Sequence, residues 1–338
     1  VYAHLKNAVR FSEERLGLHG LPAGLYADWN DCLRLGADGE SVFVAMQYFH
    51  ALEIMKVFAE YKNDREYLPW LASEAARMRA LIDGCWDSDR FLRGYTEDGL
   101  VIGGKGSPEA ELWLNPQSWS VISGVADSFQ RECAMELVHE RLNTPYGAIL
   151  MDPPFRKHAF EGARAVVFNA GTKENSGIFL QTQGWLILAE ALMGHGGRAF
   201  EYYLESCPAK QNDIAEIRRL EPYCYGQFTE GLHSENPGRS HIHWLTGTAS
   251  TVMVACVEGI LGLRPDIYGL KLSPAIPPEW EGFELTKDFR GCRLNIRVSN
   301  PNHRESGVSS LRVNGKLMQG CHIPAEALTE TTEIELIM

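Results

Sequence analysis

Two carboxylates flank a Trp–Asn pair in the segment Asp28-Trp29-Asn30-Asp31, shortly before a long apolar stretch that begins near Ser41. Acid catalysis on a glycosidic bond needs a carboxylic acid that keeps its proton near neutral pH and a surface on which a sugar ring can stack. The indole of Trp29 offers that surface, and an apolar neighbour raises the pKa of a carboxyl group. The structural alternative is that Asp28 is a turn residue and Trp29 a core residue.

Similar polar motifs precede other apolar stretches. They are Gly39-Glu40-Ser41, Asn115-Pro116-Gln117-Ser118-Trp119, Lys173-Glu174-Asn175-Ser176-Gly177 and Thr246-Gly247-Thr248. Ordinary N-caps explain one Ser, Thr or Asn at each helix start. They do not explain why Trp, Gln, Lys and Glu recur beside them. Because free N–H groups at helix N-termini favour anions, we expect these motifs to meet at one anion-binding rim.

Apolar periodicity predicts the helices that would carry this rim. The predicted segments are residues 1–16, 41–62, 68–83, a stretch from Trp119 to about 126, 129–142, 178–193, 198–206 and 249–263. Largely apolar segments alternate with amphipathic ones, as in a ring of inner helices covered by outer helices. The pattern therefore predicts a mainly α fold, an α/α toroid, over residues 1–263.

The pattern changes after residue 263. Strand-like segments are separated by Pro, Gly and Asn, at 268–273, 283–289, 294–298, 310–313 and 333–338. Asn314-Gly315 is a hairpin-turn signal. We predict a small all-β sandwich domain over residues 264–338.

Composition excludes some classes of function. The 338 residues carry a net charge of −12, which argues against a nucleic-acid or anionic-membrane surface. No apolar run reaches the roughly 18 residues of a membrane-spanning helix.

The eight cysteines show no CxxC pair and no zinc spacing with histidine, so they predict free thiols in a reducing, cytoplasmic compartment. His241 and His243 form an isolated HxH, which is more often structural than a metal site. We expect no metal and no organic cofactor. The chain starts directly in helix-like sequence, as the C-terminal part of a longer protein would.

The motifs, taken in order, resemble glycoside hydrolase family 94, the family of cellobiose and N,N′-diacetylchitobiose phosphorylases. They are ADWNDCL, NPQSW, GTKENSGIF, EPYCYGQF, HWLTGTAS, GILGLRPDIYGL and PAIPPEW, and they cover nearly the whole chain. The segments ADWNDCLRLGADGES, QTQGWLILAEAL and CYGQFTEG are most similar to the chitobiose-type members. The resemblance implies part of an (α/α)6 barrel followed by a β-sandwich, the C-terminal half of a member, and a homodimer of the full-length protein.

The resemblance also implies inverting phosphorolysis of a β-1,4-linked disaccharide to an α-sugar 1-phosphate and a free sugar. Asp31 matches the general acid, although chemistry alone leaves Asp28 open. Inorganic phosphate is the nucleophile, so a second carboxylate is not required. Trp29 matches a sugar contact. Lys173 and Gln227 match the sugar and phosphate site.

By the same matching, Thr246 and Gly247 bind phosphate. Further polar candidates with weaker support are Gln117, Glu174 and Glu221. Two positions depart from the family. Gln181 stands where members commonly have a phosphate-binding histidine, and it can donate a hydrogen bond without carrying charge. Arg164 stands near the sequence position at which cellobiose-type members have a Glu. An Arg there would suit an acceptor with a carboxylate, as in a cellobionic acid phosphorylase.

Two other functions stay open. A hydrolase on the same fold would need a catalytic base across the ring from Asp31, and the sequence identifies none. A non-catalytic carbohydrate-binding remnant would tolerate loss of the acid, whereas the chain keeps Asp31, Lys173, Gln227 and Thr246. We expect residues 1–338 alone to be inactive, because half a barrel leaves inner helices uncovered and lacks an Arg that the family takes from its other half.

Overall fold

The computed structural model of the chain describes residues 1–157, 162 and 167–338. The helices within this part are α1 (Tyr2–Glu13), α2 (Val42–Tyr61), α3 (Leu68–Asp83), α4 (Leu114–Ile122), α5 (Ser128–Arg141), α6 (Leu180–Met193), α7 (Gly196–Ser206), α8 (Pro208–Gln211), α9 (Ala215–Arg218) and α10 (Thr248–Val254), with a π-helical turn at Ala255–Ile260 and 3-10 turns at Asn212–Ile214 and Ala325–Ala327.

The first ten strands are short and lie among these helices. They are β1 (Glu40–Ser41), β2 (Trp86–Asp87), β3 (Arg90–Phe91), β4 (Gly94–Tyr95), β5 (Val101–Ile102), β6 (Leu112–Trp113), β7 (Met151–Asp152), β8 (Ile178–Phe179), β9 (Gly226–Thr229) and β10 (Ser240–His243). The remaining strands are β11 (Leu263–Pro265), β12 (Gly269–Leu272), β13 (Gly282–Phe289), β14 (Cys292–Ser299), β15 (Ser310–Val313), β16 (Lys316–Leu317), β17 (His322–Pro324) and β18 (Thr331–Ile337). The chain is thus mainly helical up to about residue 260 and β-rich beyond it, as predicted.

Local signals set several helix boundaries. The Ser41 hydroxyl accepts a hydrogen bond from the Val44 N–H and caps α2. Asp127 and Gln130 form a reciprocal capping box at the start of α5. Gly194 ends α6 in the left-handed conformation, where glycine has no Cβ penalty.

Some boundaries differ from the prediction. Helix α1 ends at Glu13, earlier than expected. Helix α4 begins at Leu114 and therefore contains the Asn-Pro-Gln-Ser-Trp motif instead of following it. Pro116 permits this because a helix's first turn has N–H groups without intrahelical partners. The predicted helix over 249–263 is shorter, and it passes from α10 into the π-helical turn.

The apolar helices contact one another in sequence, and the amphipathic ones cover them. Helix α2 packs against α4, α4 against α6, and α6 against α10, while α3, α5 and α7 pack on α2, α4 and α6, respectively. By length and composition α2 alone, within the described residues, could cross a membrane, but half of its apolar window is buried against the protein. Its contacts with α3 and α4 are those of a core helix.

The β-rich region holds two sheets. One has the order β13-β14-β18-β15-β16 and the other β11-β12-β17. Strand β14 pairs with β18 in parallel, whereas its pairing with β13 is antiparallel. Alternate residues of β18 are buried, as expected for a strand with one face on a core. Asn314 and Gly315 both have positive φ and form the predicted hairpin turn between β15 and β16.

Candidate active site

The loop around Asp31 is fixed from beneath by a buried ion pair. The carboxylate of Asp28 accepts a hydrogen bond from the Asn30 N–H (2.9 Å) and is paired with the guanidinium of Arg93. The same guanidinium donates to the Asn30 side-chain oxygen (2.8 Å) and to the Ser41 hydroxyl (2.8 Å). The Asp28 and Arg93 side chains are 1% and 0% exposed. Asp28 therefore holds the loop, and a charge that is paired and buried in this way is poorly placed to deliver a proton to a substrate.

Asp31 has the opposite surroundings. It is exposed, and it lines a pocket together with Trp29. Within the described residues, no hydrogen bond or ion pair engages its carboxylate. Asp31 nevertheless affects its neighbour Cys32: burial, Glu174 and Asp31 together raise the pKa of the Cys32 thiol to about 11. Of the two loop carboxyls, Asp31 is the one that a ligand in the pocket can reach.

The Lys173–Gly177 loop packs against the loop that carries Asp31. Asn175 anchors this loop, because its side chain donates to the Phe155 carbonyl (2.9 Å) and accepts from the Phe155 N–H (2.8 Å). The Ser176 hydroxyl bonds to the Met151 carbonyl at 2.6 Å. Asn and Ser of this motif thus build the framework, and Lys173 and Glu174 are left for other contacts.

Glu174 bonds to the acid loop itself. Its Oε2 accepts from the Asn30 side-chain amide (3.3 Å) and from the Cys32 N–H (3.1 Å). Burial raises the pKa of Glu174, and the nearby charges of Asp31 and Asp28 raise it too, against the lowering effect of the two hydrogen bonds. Lys173 lies close to the rings of Phe168 and Phe228, with its Nζ 5.6 Å and 6.0 Å from their centroids.

Trp29 connects the loop to the start of α6. Its ring packs edge-on against Phe179 (5.0 Å between centroids) and Trp185 (5.4 Å). Its Nε1 lies 3.4 Å from the Gln181 Oε1, a long hydrogen bond. Because that bond uses the amide oxygen of Gln181, the amide NH₂ group remains available as a donor.

Gln227 and the Thr246–Thr248 turn complete the pocket. Gln227 lies on β9, in the three-stranded sheet β8-β9-β10, and its Oε1 is buried without a hydrogen-bond partner in the described residues. The Thr246 hydroxyl accepts from the Thr248 N–H (3.1 Å) and shares a 2.5 Å contact with the Thr248 hydroxyl. Gly247 is the N-cap of α10. A Cβ at Gly247 would lie 3.4 Å from the Gln181 amide, so the two sit side by side.

These groups surround a pocket of about 500 Å³. Its lining residues are Trp29, Asp31, Glu174, Phe179, Gln181, Gln227, Trp244, Leu245, Thr246 and Gly247. An exposed carboxyl therefore shares the pocket with neutral amide, hydroxyl and N–H groups. Such a pocket can donate a proton to one part of a ligand and hydrogen-bond an anionic or hydroxyl-rich part.

The predicted site residues can now be placed. The structure brings together Asp31, Trp29, Gln181, Gln227, Thr246 and Gly247. Lys173 adjoins Glu174 but is not part of the lining, and Arg164 lies outside the described residues.

Two weaker candidates do not line the pocket. The side chain of Gln117 is fully buried and bonds to the N–H and carbonyl of Phe91, both at 2.9 Å, so its proposed place at the site is wrong. Glu221 is also absent from the pocket wall.

Four residues of the site were not predicted from the sequence. Phe179 and Leu245 line the pocket beside predicted residues, and Trp244 does so with a positive φ of 64° and 65% exposure. Their only signal was adjacency to the polar motifs. Arg93 had no signal, because it comes from β-rich sequence far from Asp28 along the chain.

His241 packs and hydrogen-bonds within the protein, and the cysteines are free thiols. His241 stacks on Phe228 (4.8 Å) and contacts the Glu230 carboxylate at 2.7 Å. In the described residues no group of three or more His, Cys, Asp or Glu side chains is arranged to hold a metal ion. All eight cysteines are described and none forms a disulfide.

Comparison with known families defines the class of this helical region and its pocket. Residues 1–262 match the catalytic domain of the glycosyl hydrolase 94 superfamily, and residues 263–313 match the C-terminal domain of glycosyl hydrolase family 65. The chain belongs to the glycosyl hydrolase 94 superfamily, which confirms the resemblance drawn from its motifs.

Individual relatives agree. The chain is 36% identical over 341 residues to N,N'-diacetylchitobiose phosphorylase of Vibrio proteolyticus, covering 100% of this chain and 42% of the relative. It is 37% identical to the enzyme of the same name from Vibrio furnissii, covering 99% of this chain and 42% of that protein. The chain thus spans about two fifths of the length of these relatives. A solved structure described as a sialidase has the same fold over 98% of this chain and 30% of its own, with a TM-score of 0.63 and 15% identity.

Proposed function

We propose that the protein containing this chain is a disaccharide phosphorylase, a glycosyltransferase that cleaves a β-1,4-linked disaccharide with inorganic phosphate. The donor we expect is N,N′-diacetylchitobiose, in line with the names of the two Vibrio relatives, with cellobiose next. The observation that carries the proposal is the pocket that brings the exposed carboxyl of Asp31 together with the hydrogen-bonding groups of Gln181, Gln227 and Thr246.

Different residues of the pocket carry out proton donation and phosphate binding. Asp31 protonates the glycosidic oxygen as the bond to the leaving sugar breaks. Phosphate, held by Thr246, Gly247 and the amide of Gln181, attacks the anomeric carbon from the opposite face and gives the α-1-phosphate. Trp29 offers a ring for sugar stacking, and Gln227 hydrogen-bonds hydroxyl groups. Lys173, next to the lining residue Glu174, is a further sugar contact that the family resemblance implies. No metal or organic cofactor is needed for these steps.

The arrangement of carboxylates favours phosphorolysis over hydrolysis. An inverting hydrolase needs a second carboxylate across the sugar from the acid, to activate water. Among the residues that the structure describes, Asp31 and Glu174 are the carboxylates lining the pocket, and Glu174 bonds to the backbone beside Asp31. Both therefore lie on one side, and phosphate remains the candidate nucleophile.

We further propose that α2, α4, α6 and α10 are consecutive inner helices of a partial (α/α)6 barrel over residues 1–263, followed by a β-sandwich domain over 264–338. Exposed apolar side chains on the two end helices support this: Ile54 and Val57 on α2, and Met253 and Val254 on α10 are 39–64% exposed. Those faces are where further inner helices would pack. On this basis residues 1–338 alone are expected to be inactive.

The family resemblance suggests a homodimer, and the eight free thiols suit a reducing, cytoplasmic compartment. Size-exclusion chromatography with light scattering on the protein containing this chain tests the first of these expectations.

The deciding experiment uses the full-length protein that contains this chain. N,N′-diacetylchitobiose, cellobiose and cellobionic acid are incubated separately, with and without phosphate, and the products are followed by NMR. We expect phosphate-dependent formation of an α-sugar 1-phosphate from one of them, lost in Asp31→Asn. Free sugar released without phosphate would instead identify a hydrolase, with Gln181 as the first residue to test.

A further inference from the structure

Glu174 is placed to control the direction of Asp31. Its Oε2 accepts hydrogen bonds from Asn30 and Cys32, the residues on either side of Asp31 in the chain. Glu174 is only 7% exposed, so these bonds form where water competes little. A single oxygen atom thus holds both neighbours of the proposed acid.

Asp31 depends on this support because its own side chain has no partner in the described part of the protein. The Asn30 side chain is held at both ends, by Arg93 at its oxygen (2.8 Å) and by Glu174 at its nitrogen (3.3 Å). On the Cys32 side, the N–H bond to Glu174 (3.1 Å) is the contact that ties the backbone to the Lys173–Gly177 loop. Without Glu174 the loop keeps its anchor before Asp31 and loses the one directly after it.

We propose that Glu174 is a positioning residue: its carboxylate aims Asp31 at the leaving glycosidic oxygen by bracketing the backbone around it. This rests on the function proposed above. In this role Glu174 differs from the residues that hold sugar or phosphate, although Glu174 lines the same pocket.

The charges around Glu174 define what a conservative variant can retain. The side chains of Asp31 and Asp28 lie close enough to contribute to the raised pKa of Glu174, Arg93 is paired with Asp28, and Lys173 precedes Glu174 in its own loop. Arg34 and Lys173 also act on the intervening Cys32. Since two hydrogen bonds converge on one oxygen, the amide oxygen of a glutamine can accept both, whereas alanine accepts neither.

The test compares two leaving groups. The disaccharide needs a proton on its leaving oxygen, whereas 2,4-dinitrophenolate leaves without one. In the protein containing this chain, we expect Glu174→Ala to lower kcat for the disaccharide about 100-fold, and kcat for the 2,4-dinitrophenyl β-glycoside of the donor sugar less than about 5-fold, both with phosphate present. Glu174→Gln should restore the disaccharide rate to within about 10-fold of the unmodified protein.

Two further variants calibrate the result. Asp31→Asn should show the same leaving-group dependence in stronger form. Glu230→Gln is the matched control, because Glu230 is a buried carboxylate near the pocket that bonds to His241 rather than to the acid loop (2.7 Å). It should affect both substrates equally.

Equal losses on both substrates in Glu174→Ala, or a loss confined to KM, would overturn the positioning role and make Glu174 a structural or sugar-binding residue. The absence of rescue by Glu174→Gln would also count against it. Failure of the proposed function looks different, since the unmodified protein would then cleave neither substrate in a phosphate-dependent manner.

Discussion

The pocket wall and the layer directly beneath it use the same residue types in opposite ways. On the wall, Asp31 has no partner among the described residues, and Gln227 leaves a buried oxygen unpaired by any of them. Beneath it, Asp28 is paired with Arg93, and Gln117 bonds to the backbone of Phe91. Unpaired atoms also occur outside the wall, at Asp28 Oδ2 and Arg93 Nε, so an open hydrogen-bonding group indicates a site only where the residue also lines the cavity. Substitutions at matched positions can test this distinction.

The largest effect should come from the wall. Asp31→Asn is expected to lower kcat for the disaccharide by about 10³- to 10⁴-fold, because an amide cannot supply the proton. The free energy of unfolding should change by less than about 0.5 kcal/mol, since the carboxylate stabilises no other described group. Steady-state kinetics and urea unfolding of the same preparation check both halves. A large loss of stability would place Asp31 in the framework instead.

The matching carboxylate beneath the wall should behave in reverse. Asp28→Ala leaves the guanidinium of Arg93 buried without its counter-charge, so we expect a loss of about 3 kcal/mol in unfolding free energy. Removing both charges in Asp28→Ala/Arg93→Met should cost less than the sum of the two single changes, because neither charge is then left unpaired. Additive losses in urea unfolding would show that the ion pair contributes nothing.

The two glutamines give a smaller contrast. Gln117→Ala strands the N–H and carbonyl of Phe91 in the core, and should cost about 2 kcal/mol of unfolding free energy. Gln227→Ala removes a side chain whose oxygen is already unpaired, so its stability should be nearly unchanged. We expect kcat/KM of Gln227→Ala to fall about 10-fold through a lost substrate hydrogen bond. Similar Tm shifts in the two variants would remove the distinction between wall and framework.

Glu205, which does not line this pocket, shows that an unpaired buried atom alone does not identify a site. Its Oε2 has no partner in the described residues, its Oε1 accepts from Asn143 (3.1 Å), and burial raises its pKa to about 7. Between its ordinary value and 7 the folded state binds the extra proton, so stability should rise as the pH falls through this window. Glu205→Gln should remove this dependence and stabilise the protein by about 1 kcal/mol at pH 8, after allowance for solvent screening. Identical pH profiles of unfolding for both proteins would contradict the assignment.

Sequence patterns predicted the helices well because a helix buries one face, and the buried apolar residues then recur along the sequence with the helical period. The positions of α2, α3, α6 and the hairpin at Asn314-Gly315 follow from local signals. The boundary of α4 did not, since Pro116 fits both before a helix and within its first turn.

The pocket was partly predictable for a different reason. Asp31, Gln181 and Thr246 lie in recognisable motifs, so their types and neighbours could be matched. The roles of Arg93 and Glu174 depend on which groups they contact in the folded protein. Arg93 directly precedes β4, and no spacing along the chain predicts that it contacts the Asp28 loop. The prediction that Gln117 belongs to the site was wrong for the same reason. Gln117 lies in a polar motif at a helix start, but its partners are backbone groups of Phe91.

The sheet order β13-β14-β18-β15-β16 has a consequence for synthesis on the ribosome. Strand β18 lies between β14 and β15, and the register pairs Arg293 with Thr331 and Val313 with Ile334. A nascent chain that has emerged only as far as Leu317 holds two separate hairpins with no strand to join them. The five-stranded sheet can therefore close only after residues 331–337 have left the exit tunnel, while the helices that carry the pocket can already have begun to pack.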